Sequence, residues 1–215
     1  MLISYSHQFI FFHIPKVAGT SVRIALDPYA HFTTKRLPNR ILERFKLVRV
    51  FAKIPHYRYR AYGRHITVSD AREALPDDIF NNYYKFAFVR NPWEREVSRY
   101  HYILRTPNIK THATVKSMAS FEEYLHWRIC EDMGLQRDFI ADNNGELLVD
   151  FVGKFETLSQ DLGKICSYLD LRLSTLPHLN SSQHDNYRKY YNSAMVDLIY
   201  KHFQADIELF DFSFA

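Results

Sequence analysis

Two short stretches gather the residue types that hold and activate an anion. The first is Phe9-Ile10-Phe11-Phe12-His13-Ile14-Pro15-Lys16-Val17-Ala18-Gly19-Thr20-Ser21. The second is Phe86-Ala87-Phe88-Val89-Arg90-Asn91-Pro92-Trp93-Glu94-Arg95, followed by Ser98. Each passes from an apolar run through a polar turn into a helix start. A helix start offers backbone N–H groups without intrahelical partners and the positive end of a dipole, which suits an anion. In the first stretch Gly19 permits close backbone approach, Lys16 supplies a mobile cation, and Thr20 and Ser21 add hydroxyl and N–H donors. In the second, Arg90 stands at a strand end, where its planar fork can donate two parallel hydrogen bonds to a phosphate. Ser98 lies about two turns into the following helix. Two such turns in a small chain imply a ligand with two separated anionic groups.

The nucleotide-kinase loop is the nearest rival for the first stretch. Its pattern is Gly-x-x-x-x-Gly-Lys-Ser/Thr. Here Lys16 precedes Gly19, and no Gly-Lys-Ser/Thr occurs anywhere in the chain.

The first stretch resembles the 5′-phosphosulfate loop of sulfotransferases, and the second resembles their 3′-phosphate motif. The similarity is to the carbohydrate-type members, the group that includes heparan sulfate 2-O-sulfotransferase-like and related bacterial enzymes. It runs over roughly 8–104 and 135–214 and is weakest from about 30 to 62. Gly153-Lys154-Phe155-Glu156-Thr157-Leu158 resembles the Gly-Arg-Phe-Glu-Asn-Leu stretch of these enzymes. Leu176-Pro177-His178-Leu179-Asn180-Ser181-Ser182 and Tyr187-Arg188-Lys189-Tyr190-Tyr191 resemble their late loop, which in relatives closes over the nucleotide.

The resemblance implies 3′-phosphoadenosine-5′-phosphosulfate (PAPS) as sulfuryl donor and co-substrate, with no catalytic metal. It assigns Lys16, Gly19, Thr20 and Ser21 to the 5′-phosphosulfate, Arg90 and Ser98 to the 3′-phosphate, and Ser182 and Arg188 to further donor contacts. Lys16 would neutralise charge building on the bridging oxygen as the S–O bond breaks. Transfer to a hydroxyl also needs a base, for which His or Glu suits neutral pH. Gly63-Arg64-His65-Ile66-Thr67 resembles a His-Ala-Thr stretch of the bacterial members, so His65 is the expected base, with His13 as competitor and Glu73, His56 and His101 ranked lower. A purely structural, hydrogen-bonded role for His65 stays open.

Composition bounds the rest. At 215 residues the chain has the length of one domain with a sizeable core, and its 17 Phe and 15 Tyr argue for a folded protein. No apolar run approaches the roughly 20 residues that cross a membrane. The start lacks the basic and apolar regions of a signal peptide, so the expected location is cytoplasmic. Cys130 and Cys166 lack motif spacing and read as reduced thiols, and no His or Cys cluster has metal-ligand spacing.

Of 28 basic residues ten fall between Lys35 and Arg64, against one of 24 acidic ones, so the remainder holds 18 basic and 23 acidic residues. Such a basic insertion (about 30–62, partly helical) can attract an anionic polymer or a membrane surface, or can simply be a solvated amphipathic helix. Together with Tyr57, Tyr59 and Tyr62 it favours an anionic or sugar-rich acceptor, a saccharide or glycoconjugate. A non-enzymatic binder of nucleic acid or anionic polymer would explain the charge but not the two phosphate motifs.

The elements that must position these residues follow from local patterns. Phe9–Ile14 and Tyr84–Val89 read as buried strands, and Leu147–Phe155 as a third strand region. Helices are expected over Thr20–Leu26, Ser69–Leu75 with Ser69 as cap, Pro92–Leu104 with Asn91 as cap, Ser120–Cys130 with a capping box, Leu158–Leu169 and Ser193–Phe210. Ile109–Ala119 and Pro177–Tyr190 read as loops. Trp93 reads as core rather than an adenine contact, and Arg95 and Arg99 fit solvated positions. Alternating strands and helices predict an α/β fold. The resemblance makes it a P-loop-like three-layer sandwich with a central, mainly parallel sheet flanked by helices. Ligands of such sheets bind at the carboxyl ends of the strands, where both motifs fall.

Overall fold

The run Phe9-Ile10-Phe11-Phe12 is apolar without alternation, the pattern of a strand covered on both faces, and all four side chains are fully buried. It is the second of the four strands among the described residues: β1 Leu2–Ser4, β2 Phe9–Phe12, β3 Tyr84–Val89 and β4 Phe151–Lys154. The described helices are α1 Gly19–Leu26, α2 Val68–Ala74, α3 Asp77–Asn82, α4 Pro92–Leu104, α5 His112–Lys116, α6 Phe121–Cys130, α7 Leu158–Tyr168 and α8 Ser193–Leu209. The computed structural model describes residues 1–30, 65–131, 134–172 and 186–214. Ser182, His56 and the basic stretch 35–64 lie outside the described residues. The chain divides into two units, Met1–Phe88 with Arg137–Leu179, and Val89–Gln136 with Asn180–Ala215.

The first unit carries the sheet, in the order β1-β2-β3-β4, with helices flanking it in an α/β arrangement. β2 and β3 pair in parallel, with Phe9 opposite Tyr84 and Phe12 opposite Ala87. Parallel neighbours need a long crossover, and the chain between these strands includes α1, α2 and α3. β1 adds an antiparallel edge, Leu2 opposite Phe11, that no sequence signal marked. Phe9, Phe11, Phe86 and Phe88 interlock between β2 and β3, with Phe11 stacked on Phe86 at 5.4 Å between centroids. The third strand region is shorter than expected. Only Phe151–Lys154 is strand, and Leu147 makes an isolated bridge to Ala141.

Helix α2 starts earlier than Ser69. Thr67 is the cap, its hydroxyl accepting from the Asp70 N–H at 3.1 Å. Both residues are capping types, and the register is set by burial of Val68, Ala71 and Ala74 on one face. Behind β4, Asp161 of α7 accepts from the Lys154 N–H, the Thr157 hydroxyl and the Lys164 ammonium. Burial works against its charge, yet these donors hold the carboxyl below its ordinary range.

In the second unit α4 starts as expected. Asn91 Oδ1 accepts from the Trp93 N–H at 3.1 Å, and Pro92 takes the first helical position. Ser120 caps α6 through the Glu123 N–H, while the Glu123 carboxylate reaches back to the Ala119 N–H. The core joins Trp93 and Val97 of α4, Tyr124 and Leu125 of α6, and Ile199 and Phe203 of α8. Trp93 is 2% exposed and donates its ring N–H to Val196 O, so it is core. The stretch expected as a loop at Ile109–Ala119 contains α5, anchored by fully buried Val115.

Arg95 is not solvated: it is 1% exposed. Desolvation pulls its guanidinium down to about 10, opposed by the charges of Glu96 and Asp206. Among the described residues no helix is long and apolar enough to cross a membrane.

Candidate functional site

The loop after β2 is built on an unusual backbone. Lys16 has φ +70° and Ala18 φ +59°, both left-handed without being glycine. Such conformations cost about 1–2 kcal/mol per residue and concentrate at functional turns. They also arrange successive N–H groups into concavities that take anions. Ala18 stands at the cap position of α1 with no side-chain oxygen to offer, so the helix start is not capped by its own residue. The loop therefore brings Lys16, Gly19, Thr20 and Ser21 together at an N-terminal helix end, and Ser21 donates its N–H to Ala18 O at 2.9 Å.

Gly19 is required here by contact rather than by torsion. A Cβ at this position would overlap the ring of His13. That ring is 5% exposed, lies over Phe11 and meets the His65 ring edge-on at 4.8 Å. Glycine, His13 and His65 thus pack as one stack beneath the loop. The Gly19→Ala variant should push the His13 ring aside. We expect a loss of about 1–3 kcal/mol in stability, as for overpacking. Turnover should fall with it. Thermal unfolding alongside initial rates checks this, and a variant with wild-type melting and rate contradicts the stack.

His65 lies just before the Thr67 cap, and its side chain is oriented by the backbone. Its Nδ1 is 2.8 Å from the His13 carbonyl oxygen. A carbonyl only accepts, so Nδ1 carries the hydrogen, and in the neutral ring the lone pair belongs to Nε2. That is the tautomer a base at Nε2 requires. The structure therefore brings both histidine candidates, His13 and His65, into contact. His13 is held inside the stack, while His65 is exposed. Glu73 sits exposed on α2, and His101 meets the Tyr190 hydroxyl at 2.7 Å.

In the second unit Arg90 follows β3 directly. Arg90 and Ser98 are each 4% exposed. The Arg90 guanidinium meets Glu94 Oε1 at 3.0 Å, and Glu94 and Ser98 are i, i+4 neighbours on α4. The main chain of Arg90 is held as well. Its N–H donates to Gln136 Oε1 at 2.9 Å, and its carbonyl accepts from Gln136 Nε2 at 2.9 Å. Nothing in the sequence marked Gln136, because its partner is 46 residues away. Arg188 is exposed, with its guanidinium over the Tyr187 ring at 5.1 Å. Among the described residues no cluster of three or more His, Cys, Asp or Glu is arranged to hold a metal.

Comparison with known proteins gives likenesses of three kinds. The model of the sulfotransferase family matches residues 1–213. An uncharacterised protein of Archaeoglobus fulgidus is 31% identical over 120 residues, 55% of this chain and 93% of that one. The crystal structure of mouse sulfotransferase SULT7A1 complexed with PAP matches with a TM-score of 0.42 at 15% identity, covering 96% of this chain and 68% of that chain.

Proposed function

The chain belongs to the sulfotransferase family, and on that premise we propose that it transfers a sulfuryl group from PAPS to a hydroxyl of a saccharide or glycoconjugate. The observation that carries this reading is the left-handed backbone at Lys16 and Ala18 beside the uncapped start of α1, a loop fitted to an anion. The family match takes in both units, which supports treating residues 1–215 as one sulfotransferase domain.

The roles divide between the two motifs. Lys16, the N–H groups of Gly19 and Thr20, and the hydroxyls of Thr20 and Ser21 take the 5′-phosphosulfate. Arg90 and Ser98 take the 3′-phosphate, and both are buried, so an anion there would be bound in a poorly screened setting. Ser182 and Arg188 add donor contacts from the late segment. In the transfer, His65 Nε2 receives the acceptor's proton as the new O–S bond forms. Lys16 and the start of α1 bear the charge left on the departing 5′-phosphate oxygen as the old S–O bond breaks. The products are a sulfate ester and 3′,5′-adenosine diphosphate, and His65 returns its proton to water. The ten basic residues of 35–64 and the nearby tyrosines support an anionic or sugar-rich acceptor.

Calorimetric titration with 3′,5′-adenosine diphosphate, beside ATP with Mg²⁺, tests the donor. We expect the bisphosphate to bind and ATP to bind poorly. A preference for ATP would favour a kinase reading. Salt-dependent nucleic-acid binding that survives loss of Lys16 would favour the polymer binder. In the same assay Arg90→Ala should weaken the bisphosphate about 10- to 100-fold, the worth of charge-assisted hydrogen bonds. Unchanged affinity would remove Arg90 from the site.

A further inference from the structure

Gln136 is a fully buried polar residue at the far end of the second unit's first segment. Its amide is chemically a peptide group, and it is used as one. Oε1 accepts from the Arg90 N–H and Nε2 donates to the Arg90 carbonyl, each at 2.9 Å. Those are the two bonds that a neighbouring strand exchanges with one residue of an antiparallel pair. An N–H can only donate and a carbonyl can only accept, so the amide orientation is fixed by its partners. Asp206 of α8, itself fully buried, holds Gln136 in turn. Its Oδ2 accepts the Gln136 N–H at 2.7 Å and lies 3.4 Å from Nε2.

Arg90 sits where β3 has ended and α4 has not begun, outside the regular hydrogen bonding of either element. A flexible backbone at that point would let the guanidinium wander. Glu94 ties the side chain, and Gln136 ties both backbone groups.

We propose that Gln136, backed by Asp206, is a positioning residue that fixes Arg90 to receive the 3′-phosphate. The inference rests on the assignment of Arg90 to that phosphate. Gln136 touches no nucleotide itself. It acts through the Arg90 backbone, so its loss should remove discrimination for the 3′-phosphate rather than adenine or 5′-phosphate binding.

The test is the ratio of affinities for 3′,5′-adenosine diphosphate and 5′-AMP, measured by calorimetry on the full chain. Wild type should prefer the bisphosphate. If it shows no preference, the assignment of Arg90 fails and the inference ends with it. Given that preference, Gln136→Met should lower the ratio about tenfold. Affinity for 5′-AMP should hold. In an Arg90→Ala background the same substitution should change the ratio no further, because the two act as one unit. A ratio that stays at the wild-type value overturns the proposal. So does an equal drop in the Arg90→Ala background. Thermal unfolding identifies the folded variants. Should Gln136→Met not fold, Gln136→Asn decides by the same ratio, since its shorter amide keeps the chemistry but cannot span both Arg90 groups.

Discussion

Lys16→Ala is expected to lower kcat by about 10²–10³-fold or more, with a far smaller change in affinity for 3′,5′-adenosine diphosphate. The reasoning turns on where charge appears. Bound nucleotide already carries its phosphate charge, and the loop N–H groups share in holding it. The additional negative charge on the bridging oxygen exists only as the S–O bond breaks. A cation placed there stabilises the transition state more than the ground state, so its removal falls on kcat. The substitution is also clean. Lysine and alanine both carry a Cβ, so the cost of φ +70° is the same in each, and the backbone strain does not enter the comparison. Single-turnover rates with labelled PAPS, beside calorimetry, separate the two quantities. Turnover near wild type would withdraw the role given to Lys16.

The second large effect is expected at His65. His65→Ala should cost about 10²–10⁴ in kcat, the usual span for a general base, with nucleotide binding intact. Alanine alone would not separate a base from a packing residue, because the ring also meets His13 at 4.8 Å. His65→Asn makes that separation. Its side-chain amide can donate to the His13 carbonyl in place of Nδ1 but holds no nitrogen lone pair to accept a proton. Equal losses in the two variants identify proton transfer as the lost function. Recovery of wild-type rate in His65→Asn would move the base to His13 or Glu73.

Much of the frame was legible because its signals are local. The unbroken apolar run at Phe9, and the run from Tyr84 interrupted only by Lys85, marked buried strands. Asn91-Pro92 marked the start of α4, and Ser120 with Glu123 marked the start of α6. What escaped was short and decided by tertiary packing. β1 is three residues long and owes its strand state to pairing with β2. α5 is five residues long and is set by burial of Val115. α3 follows Pro76, which reads as the end of one helix but serves as the cap position of the next.

The same divide runs through the site. The loop residues were legible because cation, glycine and hydroxyls lie side by side in the chain. The left-handed torsions of Lys16 and Ala18 were not, since neither residue type favours them. The orientation of His65 by the His13 carbonyl spans 52 residues and exists only once the chain has folded. Arg95 misled for a different reason. Its position in the helix suggested solvent, but the opposite side of α4 is also covered, and Glu96 and Asp206 provide the counter-charge.

The torsions of the Lys16 loop set stability and activity against each other. Glycine adopts φ +70° without the penalty a side chain incurs, and its greater freedom in the unfolded chain, about 0.5–1 kcal/mol, offsets only part of that gain. A selection for heat resistance alone would therefore drift toward glycine at position 16 and discard the ammonium. The residue to which we assign the chemistry is the one that folding thermodynamics would replace, so a thermostable library from this scaffold must screen position 16 for turnover as well as for melting.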